Sequence, residues 1–367
     1  MSSTPRFVNA VYYPGWSVYK GFSPSSMQID CVDQVFYAFT RLNPDGSLRF
    51  LDEFGDSQKP VDGEQGCLRA LAKLKRATPG LKTLVSIGGG GGSAEFPLVA
   101  ADPACLQTFA RSCRMFVDEF EFDGVDVDWE HPTTPRDGAN FLALIASLRE
   151  ALPSPQYLIT TALPTGEYCL RNIDLYVLGQ LLDTLNLMGY DFTGPWTAVS
   201  GHHAQLFPQL GPQENIPPAL CNSCHRGVTY LTSHNFPPGK ILLGVPAYAR
   251  SFGGACGINE QFQSAEEMEY KEIPREWTQA ASVHRDIGAA SYVDYSPDGK
   301  GFVSFDVPDT VRQKADYVKQ MGLAGLFYWT SAGDLQGAES LVRAGYETLN
   351  AQGGSVGTTG ASTANRT

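Results

Sequence analysis

Eight short runs rich in β-branched, aromatic and aliphatic residues recur along this chain, with helical patterns between them. They are FVNAVYY (7–13), QVFYAF (34–39), LKTLVSIG (81–88), FDGVDVDWE (122–130), YLITTAL (157–163), DTLNLMGYD (183–191), ILLGVPAY (241–248) and AGLFYWT (324–330). Several are nearly continuous in apolar residues, the mark of parallel strands buried on both faces. CLRALAKLKRAT (67–78), CLQTFARSCRMFVDEF (105–120) and GANFLALIASLREAL (138–152) carry helical spacing between them. Eight strands alternating with helices predict an α/β fold, a (β/α)8 TIM barrel.

The interval between the seventh and eighth runs is too long for one helix. Inside it, ASYVDYSPDGKGFVSFD sets two strand-like runs around Pro-Asp-Gly, which reads as a hairpin. A small α+β insertion is therefore expected over 252–305, on a catalytic barrel spanning 5–251 and 306–350. The stretch from 351 to 367 is rich in Gly, Ser and Thr and is expected to be disordered. A chain of 367 residues with 43% hydrophobic content can fill one such barrel.

A formal net charge of -12, with Lys and Arg scattered, argues against a nucleic-acid surface. It suits a neutral or cationic ligand better than a polyanion. No run approaches a membrane span. The first residues carry no apolar signal segment, so an intracellular protein is the expectation, with secretion open if the chain is a mature form. A monomer is expected. Of eight cysteines, Cys221 and Cys224 in CNSCH have the sharpest spacing. That spacing matches a haem-attachment pattern or half a zinc site, but no second CxxC and no axial-ligand segment accompany it. A loop disulfide or free thiols are expected there, with no metal and no cofactor.

The fourth run poses a chemical problem. Asp123, Asp126, Asp128 and Glu130 are interleaved with Val125, Val127 and Trp129. Residues two apart in a strand share a face, so Asp126, Asp128 and Glu130 point one way and the apolar residues the other. Barrel strands end at the active-site rim, and Glu130 stands at that end. Packed carboxylates repel, so at least one pKa rises and a proton is shared. A carboxylic acid held protonated near neutral pH is what a general acid needs. Neighbours on this face are roughly 6.6 Å apart, which suits one acid doing chemistry and the others orienting it. A divalent-cation site is the alternative, since hard cations take such ligands. A solvated acidic edge fails, because the apolar face demands burial.

DGVDVDWE resembles the Asp-x-x-Asp-x-Asp-x-Glu signature of glycoside hydrolase family 18, the chitinases. SIGG (86–89), MGYD (188–191), GVPAYAR (244–250) and LFYWT resemble the family's third, sixth, seventh and eighth strand motifs, and VYYPGWSVY and YAF its first two. The resemblance covers about residues 7–348, is nearest in kind to fungal chitinases, and places the family's insertion domain at the long interval. It implies that Glu130 protonates the glycosidic oxygen of chitin or chito-oligosaccharides. Asp128 would orient the substrate's N-acetyl group, and Asp126 would share a proton with Asp128. Tyr190 would hydrogen-bond the N-acetyl carbonyl, beside Asp191. Trp329 would floor the cleavage site, with Met188, Tyr248 and Arg250 completing the pocket and Tyr12 and Phe39 lining its base. In the third motif Gly89 would contact substrate and Ser86 would be structural, as would Asp123. Trp16 and Trp196 fall where aromatics line the groove, although ordinary core tryptophan is the competing explanation.

The implied mechanism is substrate-assisted and retaining, an exception to the two-carboxylate scheme. Three departures stand out. His131 replaces the usual Tyr after the acid. Gly88–Gly92 runs where the third motif usually continues into Trp, so stacking on the leaving-group side is reduced; a phosphate cradle is the weak alternative. Ala249 replaces a common Gly. An endo-β-N-acetylglucosaminidase acting on N-glycans and a non-catalytic chitin-binding lectin are the other readings.

Overall fold

The β-branched and aromatic runs pair as parallel strands because each can bury both of its faces. The computed structural model describes residues 7–209, 217–296 and 298–351; the segment 352–367, expected to be disordered, lies outside them. The barrel strands, in order, are Val8–Pro14, Gln34–Leu42, Lys82–Gly88, Gly124–Asp128, Leu158–Pro164, Thr184–Met188, Ile241–Pro246 and Gly325–Trp329. Each pairs in parallel with the next, and the first pairs with both the second and the eighth, which closes the barrel. In register, Tyr12 lies opposite Phe36, Ser86 opposite Asp126, and Asp126 opposite Thr160.

Alternation along the strands sorts side chains into two layers. Ala10, Tyr12, Phe36, Ala38, Leu84, Leu242 and Phe327 fill the barrel interior. Val11, Tyr13, Val35, Tyr37, Val85, Val125 and Val127 face outward, against the helices. Trp129 joins the outer layer, stacked on Phe96 at 5.4 Å and edge-on to Phe141 at 6.1 Å. Full burial of such side chains contributes roughly 1.5–3 kcal/mol each.

The helices start earlier than their apolar spacing suggests. They span Gly66–Ala77, Pro103–Glu119 and Pro135–Ala151. Asp102 accepts from the N–H groups of Ala104 and Cys105, and Thr134 forms a capping box with Asp137. A proline follows each cap, where its missing N–H costs nothing.

Several strands are shorter than their runs. FDGVDVDWE is a strand only over Gly124–Asp128, and DTLNLMGYD only over Thr184–Met188. Ladder pairing ends at those points, and Asp191 turns to φ 60. ILLGVPAY divides at Ala247: its N–H bonds to Trp329 in the barrel, and its carbonyl accepts from Tyr270. Tyr248–Gly253 then begins a second, five-stranded antiparallel sheet with Ser264–Glu269, Ser282–His284, Ala289–Asp294 and Gly301–Phe305. The last two pair as the arms expected on either side of Pro-Asp-Gly.

Candidate active site

The barrel mouth gathers polar residues from nearly every strand. Asp126 sits deepest and is fully buried. Tyr12 (2.8 Å) and Ser86 (2.7 Å) donate to its Oδ2, and Thr160 (2.6 Å) and Asn186 (3.2 Å) donate to its Oδ1. Hydrogen bonds to a charged group contribute roughly 1.5–3 kcal/mol each. Burial still holds its carboxyl above the ordinary value, with the hydroxyls of Thr160, Ser86 and Tyr12 opposing.

Asp128 is different. It is also buried, but its Oδ1 has no hydrogen-bond partner. Burial pushes its pKa well up, the charges of Glu130 and Asp126 push further, and Arg41 only partly opposes them. Glu130, at the rim, is likewise raised, first by burial and then by Asp191, against a backbone hydrogen bond from Gly90. Ser93 receives the Glu130 N–H at 2.8 Å and so anchors its backbone. A carboxyl in this setting can keep its proton near neutral pH and pass it to a bound leaving group.

Asp191 faces the row from the next wall. Its Oδ1 accepts from Tyr248 (2.8 Å) and from Arg250 Nε (3.0 Å) and Nη2 (2.7 Å). Arg250 also pairs with Glu267 at 3.3 Å and lies over the Trp196 ring at 5.0 Å. Tyr190 stays a neutral phenol: burial raises it well above its ordinary value, helped by Asp128, Asp191 and Glu130. A cavity of about 180 Å³ joins Tyr12, Phe39, Asp128, Glu130, Met188, Tyr190, Asp191, Tyr248, Glu267 and Trp329. Trp329 packs against Tyr12 at 5.4 Å and Phe39 at 5.7 Å. Trp16 and Trp196, at 42% and 58% exposure, are surface aromatics rather than core residues. Trp16 flanks Trp329 at 6.5 Å.

Asp123 stands apart, at the opposite end of the strand, 2.8 Å from Lys75 and 2.9 Å from Lys82. The glycine run packs tightly where a larger residue would collide. At Gly89, with φ +77, an added Cβ would stand 2.6 Å from the Phe39 ring. At Gly90 it would stand 3.6 Å from the Glu130 carboxyl, an unsuitable neighbour for a phosphate.

Asp126 already has two donors on each oxygen, which leaves little for a cation. Among the described residues no group of three His, Cys, Asp or Glu side chains is arranged to hold a metal. Cys224 of the CNSCH stretch is buried, with its thiol donating to the Gly189 carbonyl at 3.3 Å.

Sequence reasoning missed Thr160, Asn186, Ser93, Arg41, Tyr168 and Glu267. Thr160 and Asn186 left a signal, as polar residues inside otherwise apolar runs. The others lie in a loop, in a short helix, at a strand end or in the second sheet, and no local pattern marks them.

The chain has relatives among known proteins. Residues 8–334 match the family model described as Glycosyl hydrolases family 18. Chitinase 1 of Aphanocladium album is 30% identical over 371 residues, covering 94% of this chain and 86% of that protein. Endochitinase 1 of Metarhizium robertsii is 31% identical over 361 residues, covering 92% and 84%. Among solved structures, the Group IV chitinase of Ostrinia furnacalis superposes with a TM-score of 0.83 at 26% identity, covering 94% of this chain and 99% of that one. The Class V chitinase of Nicotiana tobaccum gives 0.79 at 26% identity, again covering 94% and 99%.

Proposed function

The chain belongs to glycosyl hydrolases family 18, and from that premise we propose that it is a chitinase, hydrolysing β-1,4 linkages between N-acetylglucosamine units of chitin and chito-oligosaccharides. The observation that carries this reading is the pair Asp128–Glu130. Two neighbouring carboxyls, both raised by burial, meet in a cavity lined by the Trp329 indole. An indole face suits the apolar face of a sugar.

Glu130 protonates the glycosidic oxygen as the bond to the anomeric carbon breaks. A two-carboxylate mechanism would need a second free carboxylate across the sugar. Asp191 is the candidate, but Tyr248 and Arg250 occupy its Oδ1. As membership of the family implies, the nucleophile is the substrate's own N-acetyl oxygen, which closes an oxazolinium ring on the anomeric carbon. Asp128 bears on the N-acetyl N–H and the charge formed there, and Tyr190 donates its phenol hydrogen to the N-acetyl oxygen. Glu130, now a carboxylate, takes a proton from water, which opens the ring with retention. Segment 252–305 acts as an insertion that supplies one wall through Glu267. Lectins of the family commonly lose the acid, and here Glu130 is present, which disfavours the lectin reading.

The test is turnover of fluorogenic N-acetylglucosamine dimer and trimer by wild type and Glu130→Gln. Wild type is expected to turn over, and the variant to lose about 10²-fold or more. A variant with wild-type rates sinks the reading.

A further inference from the structure

His131 follows Glu130 and lines a cavity of about 140 Å³ with it, on the side of the acid away from Trp329. A general acid sits between the sugar it cleaves and the sugar it releases, so this cavity is on the leaving-group side. The His131 Nε2 lies 3.8 Å from Glu130 Oε2. That is too long for a hydrogen bond, and a small side-chain rotation would make it one. Its Nδ1 is buried with no hydrogen-bond partner. Tyr168 packs edge-on against the ring, centroids 5.8 Å apart. Burial pushes its pKa down to about 4, so the imidazole is neutral where Glu130 works. A neutral imidazole carries one N–H. An orphaned buried donor is rarer than an under-satisfied acceptor, so the hydrogen belongs on Nε2, the nitrogen nearest Glu130.

We propose that His131 is a positioning residue for the proton transfer: as Glu130 gives up its proton, the Nε2–H closes on Oε2 and stabilises the new carboxylate. The inference rests on Glu130 being the general acid. The O–H bond of Glu130 breaks, its proton goes to the glycosidic oxygen, and His131 keeps its own hydrogen. The contact is long while Glu130 is protonated and forms as charge develops. It therefore stabilises the transition state more than the ground state. The other groups facing Glu130 are Asp128, Asp191, Tyr168, Tyr190 and the N–H of Gly90. Of these, the Asp191 charge opposes its ionisation. The Gly90 N–H and His131 favour it.

The test compares kcat and KM against pH for wild type, His131→Phe and His131→Gln on the fluorogenic trimer. Phe keeps the ring and its Tyr168 contact, while Gln returns an amide nitrogen near the Nε2 position. For Phe, kcat is expected to fall about tenfold or more. KM should stay within about twofold. The alkaline limb should move to higher pH, because the anion has lost a donor, and Gln should restore part of both. A Phe variant with the wild-type limb overturns the inference while leaving the Glu130 reading intact. Wild type without turnover overturns both. Nitrogen NMR of the wild-type ring gives an answer without any variant: the hydrogen on Nε2 is expected, and its presence on Nδ1 overturns the proposal.

Discussion

One strand carries carboxylates at both ends, and the two ends are built on opposite plans. Before the strand starts, Asp123 sits between Lys75 and Lys82 and accepts the Thr83 N–H at 2.9 Å. Burial would raise its pKa, but the two lysines and that N–H outweigh it and hold the carboxyl below its ordinary value. At the far end Asp126 has only neutral donors, Asp128 has an unpartnered oxygen, and both are raised. Buried charge without a cation is costly. The Asp123 end is arranged for stability. The Asp128 end gives up stability to keep a proton available, as functional sites commonly do.

The widest separation should come from Asp128→Asn. Activity is expected to fall about 10²-fold or more, while stability at neutral pH equals or exceeds wild type. Kinetics paired with urea unfolding check this, and a variant both active and less stable would erase the contrast. Asp123→Asn should do the reverse, losing about 1–2 kcal/mol of stability with kcat unchanged per folded molecule. A fall in kcat with stability intact would show that this end also serves the chemistry.

The smallest effect is in pH dependence, where the two variants should have opposite signs. Asp123 is depressed in the fold, so its contribution is present above its unfolded value of about 3.9 and is lost as pH falls through the folded one. The deficit of Asp123→Asn should therefore close in acid. Asp128 is raised, so stability is fully present below about pH 3.9 and is lost as pH rises toward the folded value. The advantage of Asp128→Asn should grow from that point upward. Urea midpoints across this range that moved in parallel would refute the contrast.

The acid row was legible because period-2 alternation is local: Asp126, Asp128 and Glu130 share a face whatever the rest of the chain does. The strand ends were not. Trp129 and Glu130 continue the same alternation, yet pairing ends at Asp128 on one side and at Val127 on the other. The helix starts at Asp102-Pro103 and Thr134-Pro135 were written in the sequence as caps, but apolar spacing does not report them.

By itself the sequence determined the barrel and the acid row, since each follows from residue type at fixed short spacing, and the resemblance of its motifs pointed to the residues that line the cavity. Only the tertiary structure decided how each acid is held. Tyr12, Ser86, Thr160 and Asn186 come from four different strands to satisfy Asp126. Asp128 is left with a bare oxygen. His131 is set beside Glu130, with its other nitrogen sealed from solvent. A pKa depends on burial and on charges brought together across long stretches of chain. No local spacing encodes those distances.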